Sequence, residues 1–172
     1  MNPIKITDYE PHHQRFFEKF NRDWIEEYFV MEPVDEYVLT NPEESILTPG
    51  GAILMALYNG MVAGTVALRK VDDVTYEFTK MAVEKSFRRK GIAAALCYAS
   101  FQKAAEFGAT NIILYSNTQK NGTAIEMYEK TGFHKVPLEP GIYERADIKM
   151  VITIEAAIQR ADEYYSFDTI MK

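Results

Sequence analysis

The hydrophobic and polar positions of the 172-residue chain follow two periods, one typical of strands and one typical of helices. Alternation and short apolar runs predict strands at residues 4–6, 52–58, 61–70, 74–84, 111–115, 133–136 and 146–154. Apolar spacings of three and four, with glycine or proline near the ends, predict helices at residues 12–29, 34–40, 92–107 and about 120–130. The tail, residues 155–172, is expected to begin as a helix, and the pattern assigns it no role.

Turn residues between these elements predict how the strands pair. Asn59-Gly60 is a strong hairpin signal, and it divides the apolar run 50–68 into two halves of strand length, so a membrane span is not expected. A second reversal at residues 71–73 leads into the third of three antiparallel strands. The strand, helix and strand that follow predict that the strands around Met81 and Ile113 run parallel.

The third strand leads into a basic turn at the start of a long helix. Within the strand, Glu77, Thr79 and Met81 are expected to face one side of the sheet and their neighbours the other side. Residues 86–93 then place three basic side chains before Gly91 and several small residues. A phosphate can approach the first N–H groups of a helix there, because small side chains leave the backbone accessible. The turn therefore predicts a site for a phosphorylated cofactor.

Composition and charge narrow the class of protein. With 47% hydrophobic and 26% charged residues, the chain has the composition of a soluble globular protein and the length of one domain, residues 1–172. A net charge of -6, with one dense basic cluster at residues 88–90, argues against nucleic acid as a partner. The N-terminal residues show no secretory signal, so we expect a cytoplasmic protein that does not bind a membrane.

The segment from Asp23 to Leu68 contains no lysine or arginine. Two interpretations are open, a solvated acidic surface or the rim of a site for a cationic substrate. The eight carboxylates of the segment belong to Asp23, Glu26, Glu27, Glu32, Asp35, Glu36, Glu43 and Glu44.

Cysteine and histidine give no sign of thiol or metal chemistry. Cys97, the only cysteine, falls among alanines in the middle of a helix and is expected to be buried and inert. The histidines at positions 12, 13 and 134 lack the spacing of metal ligands, and no carboxylate falls at ligand spacing beside the first two. No metal site is expected.

Two motifs resemble those of the GCN5-related N-acetyltransferases, the GNAT family. Arg88-Arg89-Lys90-Gly91-Ile92-Ala93 matches the pattern Gln/Arg-x-x-Gly-x-Gly/Ala after a strand, and Asn121-x-x-Ala124-x-x-x-Tyr128-Glu129-Lys130-Thr131-Gly132-Phe133 matches a second family motif. The resemblance implies the α+β GNAT fold, a mixed and mostly antiparallel central sheet with helices on both faces. It covers the elements from residue 4 to residue 154 and leaves out the tail.

The resemblance also implies acetyl-CoA as co-substrate and a set of residues that hold it. The pyrophosphate is expected on the backbone N–H groups of residues 89–94, beside the charges of Arg88, Arg89 and Lys90. Pantetheine is expected to pair with the strand backbone at residues 81–83. Asn121 contacts the cofactor or orders its turn, and Asn117 has a weaker claim because it could equally cap a helix. The implied cofactor-binding residues are Met81, Ala82, Val83, Arg88, Arg89, Lys90, Gly91, Ile92, Ala93, Ala94, Asn117, Asn121 and Tyr128.

Two further side chains are candidates for catalysis by analogy with the family. An amine of pKa about 10.4 costs about 4.6 kcal/mol to hold neutral at pH 7, so a base is useful, and Glu77 is the candidate, directly or through water. The alternative is that Glu77 is a cross-strand or surface carboxylate. Tyr128 is the candidate acid for the departing thiolate, and its alternative role is core packing.

The implied reaction is transfer of acetyl from acetyl-CoA to a primary amine by direct attack, without a covalent enzyme intermediate. The acidic segment favours a small cationic amine such as a polyamine or an aminoglycoside-like compound as acceptor. A peptide or protein amine, and an acetyl-CoA sensor without catalysis, are the alternatives. The aromatic residues 164–167 of the tail leave a partner-binding role or a homodimer open.

Overall fold

A computed structural model describes residues 2–140 and 143–171. The strands of this part of the chain are β1 (Ile4–Asp8), β2 (Ala52–Tyr58), β3 (Met61–Lys70), β4 (Thr75–Val83), β5 (Asn111–Ser116), β6 (His134–Val136) and β7 (Ile148–Thr153). The α-helices are α1 (Gln14–Tyr28), α2 (Pro33–Thr40), α3 (Ile92–Glu106), α4 (Gly122–Thr131) and α5 (Ile154–Met171). Pro11–His13 and Lys85–Phe87 form short 3-10 turns, and Glu43–Leu47 forms one turn of π-helix.

The strands form one sheet in the order β1-β2-β3-β4-β5-β7-β6. Strands β4 and β5 run parallel, and every other neighbouring pair in this order is antiparallel. The sheet confirms the hairpin at Asn59-Gly60 and the crossover from β4 through α3 to β5. The predicted mixed, mostly antiparallel sheet is therefore correct.

Helices cover both faces of the sheet, as the fold class predicts. On one face, the apolar side of α3, including Leu96 and Phe101, packs on Phe78 and Ile152 of the sheet. On the other face, Phe17 of α1 and Leu39 of α2 pack on the sheet beside Met55, all three fully buried. None of the helices in the described ranges is both long and apolar enough to cross a membrane.

Strand β4 contains a bulge that the alternating pattern does not predict. Thr65 pairs with Ala82 and Ala67 pairs with Thr79, so two residues of β4 stand opposite one residue of β3. Lys80, inside the bulge, has a φ of +54°. The bulge reverses the faces of the residues that follow it. Met81 therefore packs with the core under α3, instead of facing the same side as Glu77 as expected.

The tail forms a long helix that packs on the domain's own core. Ala157 and Ala161 of α5 are fully buried, and the ring of Tyr164 stacks on that of Tyr98 in α3 at 4.4 Å. Arg160 donates a hydrogen bond of 2.8 Å to the backbone carbonyl of Lys130. The prediction that the tail begins as a helix is correct. The sequence assigned the tail no role, and the structure shows that it packs on α3.

A charge at the buried face of α5 should unfold this packing. We expect Ala157→Asp to lower the free energy of unfolding by more than about 3 kcal/mol, because the carboxylate would be buried without a partner. Ile158→Asp is the matched control, since Ile158 is the next residue of the same helix and is 40% exposed. Urea unfolding of the two variants measures the difference. Equal and small losses would show that α5 contributes little to the stability of the core.

Candidate active site

A cleft opens where two parallel strands of the sheet diverge. Strand β4 pairs with β5 only from Thr75 to Glu77, opposite residues 111–113. Beyond these pairs the strands separate around a cavity of about 740 Å³, which residues 78–83 of β4 and residues 114–117 line. In the described sheet, the backbone groups of β4 that face this gap have no strand partner. An extended ligand with amide groups could pair with them as an added strand does.

The basic turn forms one end of the cleft. Gly91 precedes α3 with a φ of +84°, a left-handed conformation that glycine adopts without steric cost. The backbone N–H of Ala95 donates to the carbonyl of Gly91, which leaves the N–H groups of residues 92–94 at the open end of the helix. These groups and the helix dipole favour an anion. The exposed side chains of Arg88 and Arg89 also line this end of the cleft.

Most of the side chains predicted to bind the cofactor come together around the cleft. Lys90 does not line it, because its ammonium lies over the ring of Tyr58 at 5.3 Å. Its part in binding the pyrophosphate stays a prediction. The predicted residues that line the cleft are Met81, Ala82, Val83, Arg88, Arg89, Gly91, Ile92, Ala93, Ala94, Asn117, Asn121 and Tyr128.

Tyr128 reaches the cleft from α4 and is 7% exposed. Its ring packs edge-to-face against the rings of Phe78 and Phe133, with centroids 5.7 and 5.9 Å away. Gly132 ends α4 in a left-handed conformation, and the N–H of Phe133 then donates to the carbonyl of Tyr128. Burial raises the pKa of Tyr128 well above its ordinary value. The phenol therefore stays protonated at neutral pH and can donate a hydrogen bond.

The two asparagines order the turn between β5 and α4. Asn117 Oδ1 accepts hydrogen bonds from the N–H groups of Gln119 and Lys120, at 2.9 and 3.0 Å. Asn117 Nδ2 donates to the backbone carbonyl of Arg145 at 2.8 Å, which links the turn to the segment before β7. Asn121 Nδ2 donates to the Ser116 hydroxyl at 3.0 Å. Both therefore shape the wall of the cleft that they line.

Glu77 lies beneath the cleft surface. The residue is 1% exposed, and Arg69 Nε donates to its Oε1 at 2.8 Å. Two neighbours, Thr79 and Tyr143, line the cleft, and their hydroxyl oxygens are 3.3 Å apart. Burial and then the charge of Glu77 raise the pKa of Tyr143.

A buried ionic cluster that the sequence analysis did not predict lies behind the cleft wall. The Asp35 carboxylate is fully buried and accepts hydrogen bonds from Lys80 Nζ at 2.7 Å and from two nitrogens of Arg145 at 2.7 and 2.8 Å. Glu32 Oε2 accepts from Arg145 at 2.8 Å. We define Glu32, Asp35, Lys80 and Arg145 as the ionic cluster. Its members lie up to 113 residues apart, so no local pattern could have predicted it.

The pKa shifts of Asp35 and Lys80 show how burial and ion pairing oppose each other in this cluster. Burial by itself would raise the pKa of Asp35, but the Arg145 guanidinium and the Lys80 ammonium together hold it well below its ordinary value. Burial lowers the pKa of Lys80, against the attraction of Asp35. The Asp35 carboxylate is therefore ionised throughout the neutral range, and it anchors two cations of the cleft wall.

The acidic segment does not form a rim around the cleft. Of the described residues that line the cleft, none is a carboxylate of this segment. Most of these carboxylates pair instead with cations from other parts of the chain. The ion pairs join Asp23 to Lys19, Glu26 and Glu36 to Arg22, Glu27 to Lys85, and Glu32 and Asp35 to Arg145. The segment therefore gives no support for a cationic acceptor.

The remaining reactive side chains lie outside the cleft. Cys97 is fully buried, and burial raises the pKa of its thiol to about 12, which agrees with the expected inert cysteine. Ligand atoms of Glu10, His12 and His13 lie within 4.8 Å of one another, although the sequence analysis expected no carboxylate at ligand spacing from the two histidines. The cluster is a helix cap, in which His13 Nδ1 accepts the Glu10 N–H at 2.9 Å.

Comparison with known proteins agrees with the family that the two motifs indicate. A model of the acetyltransferase (GNAT) family matches residues 13–133. The chain belongs to the GNAT family. An uncharacterized N-acetyltransferase of Mycobacterium tuberculosis is 37% identical over 90 residues, which are 52% of this chain and 57% of that protein. Human N-acetylaspartate synthetase is 35% identical over 89 residues, 49% of this chain and 28% of the synthetase. The chain thus spans only part of these relatives.

Solved GNAT structures share the fold over most of the chain. A spermidine N-acetyltransferase of Vibrio cholerae, in complex with CoA and spermine, superposes with a TM-score of 0.71 at 19% identity. The superposition covers 91% of this chain and 98% of that enzyme. At this identity the likeness shows the fold alone.

The ionic cluster should control the stability of the cleft wall. We expect Asp35→Ala to lower the free energy of unfolding by about 3–5 kcal/mol, because two buried cations lose their partner. Glu36→Ala, one residue along α2 at an exposed ion pair, is the control and should change little. Urea unfolding measures both. A loss for Asp35→Ala no larger than that of the control would contradict the anchoring role.

The same carboxylate predicts how stability depends on pH. Since folding lowers the pKa of Asp35 below the unfolded value of 3.8, its contribution is full above that pH and is lost as the pH falls further. Wild type should therefore lose stability faster than Asp35→Ala as the pH is lowered from about 4 towards 2. Urea unfolding across that range measures the two slopes, and equal slopes would contradict the prediction.

Proposed function

We propose that the protein transfers the acetyl group of acetyl-CoA to a primary amine of a small molecule. The observation that carries the proposal is the gap between β4 and β5, which ends at the first N–H groups of α3, where the helix supplies no partner. The gap offers strand pairing to the amides of pantetheine, and the helix N-terminus with Arg88 and Arg89 offers a site for the pyrophosphate. Membership of an acetyltransferase family, and the CoA held by a protein of the same fold, support this assignment.

The proposed reaction is a direct attack on the thioester. The neutral amine nitrogen attacks the acetyl carbonyl carbon, the C–N bond of an amide forms, and the C–S bond breaks. The nitrogen gives up one proton to Glu77, by way of water or the Thr79 and Tyr143 hydroxyls. The Tyr128 hydroxyl donates a hydrogen bond to the sulfur as negative charge develops there, and the products are the N-acetyl amine and CoA thiol.

Tyr128 is better suited to hydrogen bonding than to complete proton transfer. Burial raises the pKa of Tyr128, which makes loss of its proton to a thiolate of pKa near 8.5 more uphill than for an ordinary phenol. A hydrogen bond that strengthens in the transition state needs no net transfer from the phenol. The thiolate can then take its proton from water.

Two similar proteins are named for small amines of different charge. The Vibrio cholerae enzyme of the same fold is named for spermidine, a cationic amine. The synthetase related in sequence is named for N-acetylaspartate, whose parent amine carries carboxylates. A peptide amine, a homodimer and the cytoplasmic location stay predictions.

The role of Glu77 can be tested by a pair of variants. We expect Glu77→Gln to lower kcat by about 10²- to 10⁴-fold without changing the affinity for acetyl-CoA, because the amide cannot accept the proton. Arg69→Met is the matched variant, which removes the partner and leaves the carboxylate. It should lower kcat less than Glu77→Gln does, because the carboxylate that accepts the proton is still present. Thiol release from acetyl-CoA and calorimetric titration provide the measurements.

Two outcomes would contradict the role of Glu77, and a third would contradict the proposed enzyme activity. Wild-type turnover in Glu77→Gln, with acetyl-CoA still bound, would remove Glu77 from the mechanism. If Glu77→Gln and Arg69→Met lost turnover equally, the ion pair would have a purely structural role. A protein that binds acetyl-CoA but releases no thiol with any amine would be a sensor instead of an enzyme.

A further inference from the structure

The charged side chains that line the described part of the cleft are all cationic. Arg88 and Arg89 belong to the basic turn, where the proposed pyrophosphate accounts for them. The other three, Lys80, Lys120 and Arg145, come from the β4 bulge, the turn after β5 and the segment before β7. The proposed cofactor site does not account for this second group.

Two aromatic rings hold the second group of cations together. The Phe29 ring lies 5.6 Å from Lys120 Nζ and 5.7 Å from the Arg145 guanidinium carbon. The Tyr143 ring lies 4.8 Å from Lys80 Nζ and 5.0 Å from the same Arg145 carbon. Phe29 and Tyr143 themselves line the cleft. The end of the cleft beside α1 is therefore an apolar surface that carries positive charge.

Glu32 and Asp35, the carboxylates of the ionic cluster, do not neutralise all three cations of the second group. Arg145 donates three of its five N–H hydrogens to Glu32 and Asp35. The Nε hydrogen and one hydrogen of Nη2 are not used in these bonds. Lys120 Nζ donates to the Tyr28 carbonyl at 3.0 Å and, within the described ranges, forms no ion pair. Glu32 and Asp35 balance Lys80 and Arg145, so Lys120 adds an uncompensated positive charge.

We infer that the acceptor is a small amine that also carries a carboxylate, as an amino acid does, and that Lys120 and Arg145 select it. The inference rests on the proposed acetyl transfer. A carboxylate between these cations would gain charge-assisted hydrogen bonds, whereas a polyamine would bring like charges together next to apolar rings. The amine of the same molecule would then lie on the side of Thr79 and Tyr143, above Glu77.

A panel of matched acceptors tests the inference. Thiol release from acetyl-CoA is measured with aspartate, glutamate and alanine, with the same amino acids blocked as carboxamides, and with spermidine. We expect kcat/KM to be at least tenfold higher for the free carboxylates than for their amides. Each pair carries a primary amine on the same carbon skeleton and differs in the charge of the carboxyl group.

A variant of Lys120 tests the residue that selects the carboxylate. Lys120 is exposed, so Lys120→Met should fold normally. We expect it to raise the KM for carboxylate acceptors about tenfold while kcat, the KM for the amides and the affinity for acetyl-CoA stay unchanged. Lys135→Met, which removes an equal charge from an exposed position of β6, is the control and should behave as wild type.

Each result has a distinct meaning. Turnover confined to spermidine, or equal for acids and amides, would overturn the inference and leave the proposed acetyl transfer intact. A loss of acetyl-CoA affinity in Lys120→Met as large as the loss of acceptor binding would assign the cation to CoA and overturn the inference as well. Bound acetyl-CoA without thiol release on any acceptor would overturn the proposed function and the inference together.

Discussion

The cleft depends on one buried carboxylate that binds two cations from distant parts of the chain. Asp35 of α2 holds Lys80 of the β4 bulge and Arg145 of the segment before β7. Burying three charges is costly unless each is paired and hydrogen-bonded in good geometry, and here all three are. Helix α2 is consequently held against the bulge and the segment before β7, and Lys80 and Arg145 of these two parts line the candidate acceptor site.

The bulge and the divergence of β4 from β5 convert an ordinary sheet into a binding site. Pairing to β5 ends at Glu77, and the bulge follows three residues later. The free backbone beyond Glu77 faces the gap, while Glu77 itself stays under the surface with Arg69. On the face of the sheet that α3 covers, helix α5 packs on α3 and completes the hydrophobic core.

The distribution of charge in the cleft is opposite to that of the whole chain. The net charge is -6, yet the described residues that line the cleft contribute five cations and no carboxylates. Acidic side chains of the segment before Leu68 form ion pairs with cations such as Arg22, which lies outside the cleft, and Arg145, which lines it. A site of this kind suits an anionic cofactor at one end and an acceptor with a carboxylate at the other. Net charge is therefore a poor guide to the field inside the cleft.

The sequence by itself determined the helices, the strands, the hairpin and the Gly91 turn, because each depends on spacings within a few residues. Both family motifs are local in the same way, and they correctly brought Tyr128 and the basic turn to one cleft. Only the tertiary structure decided the β4 bulge, the covered position of Glu77, the direction of Lys90 and the pairing of Asp35. Those features depend on partners from other elements, up to 110 residues away for Asp35, and such partners leave no periodic trace in the chain.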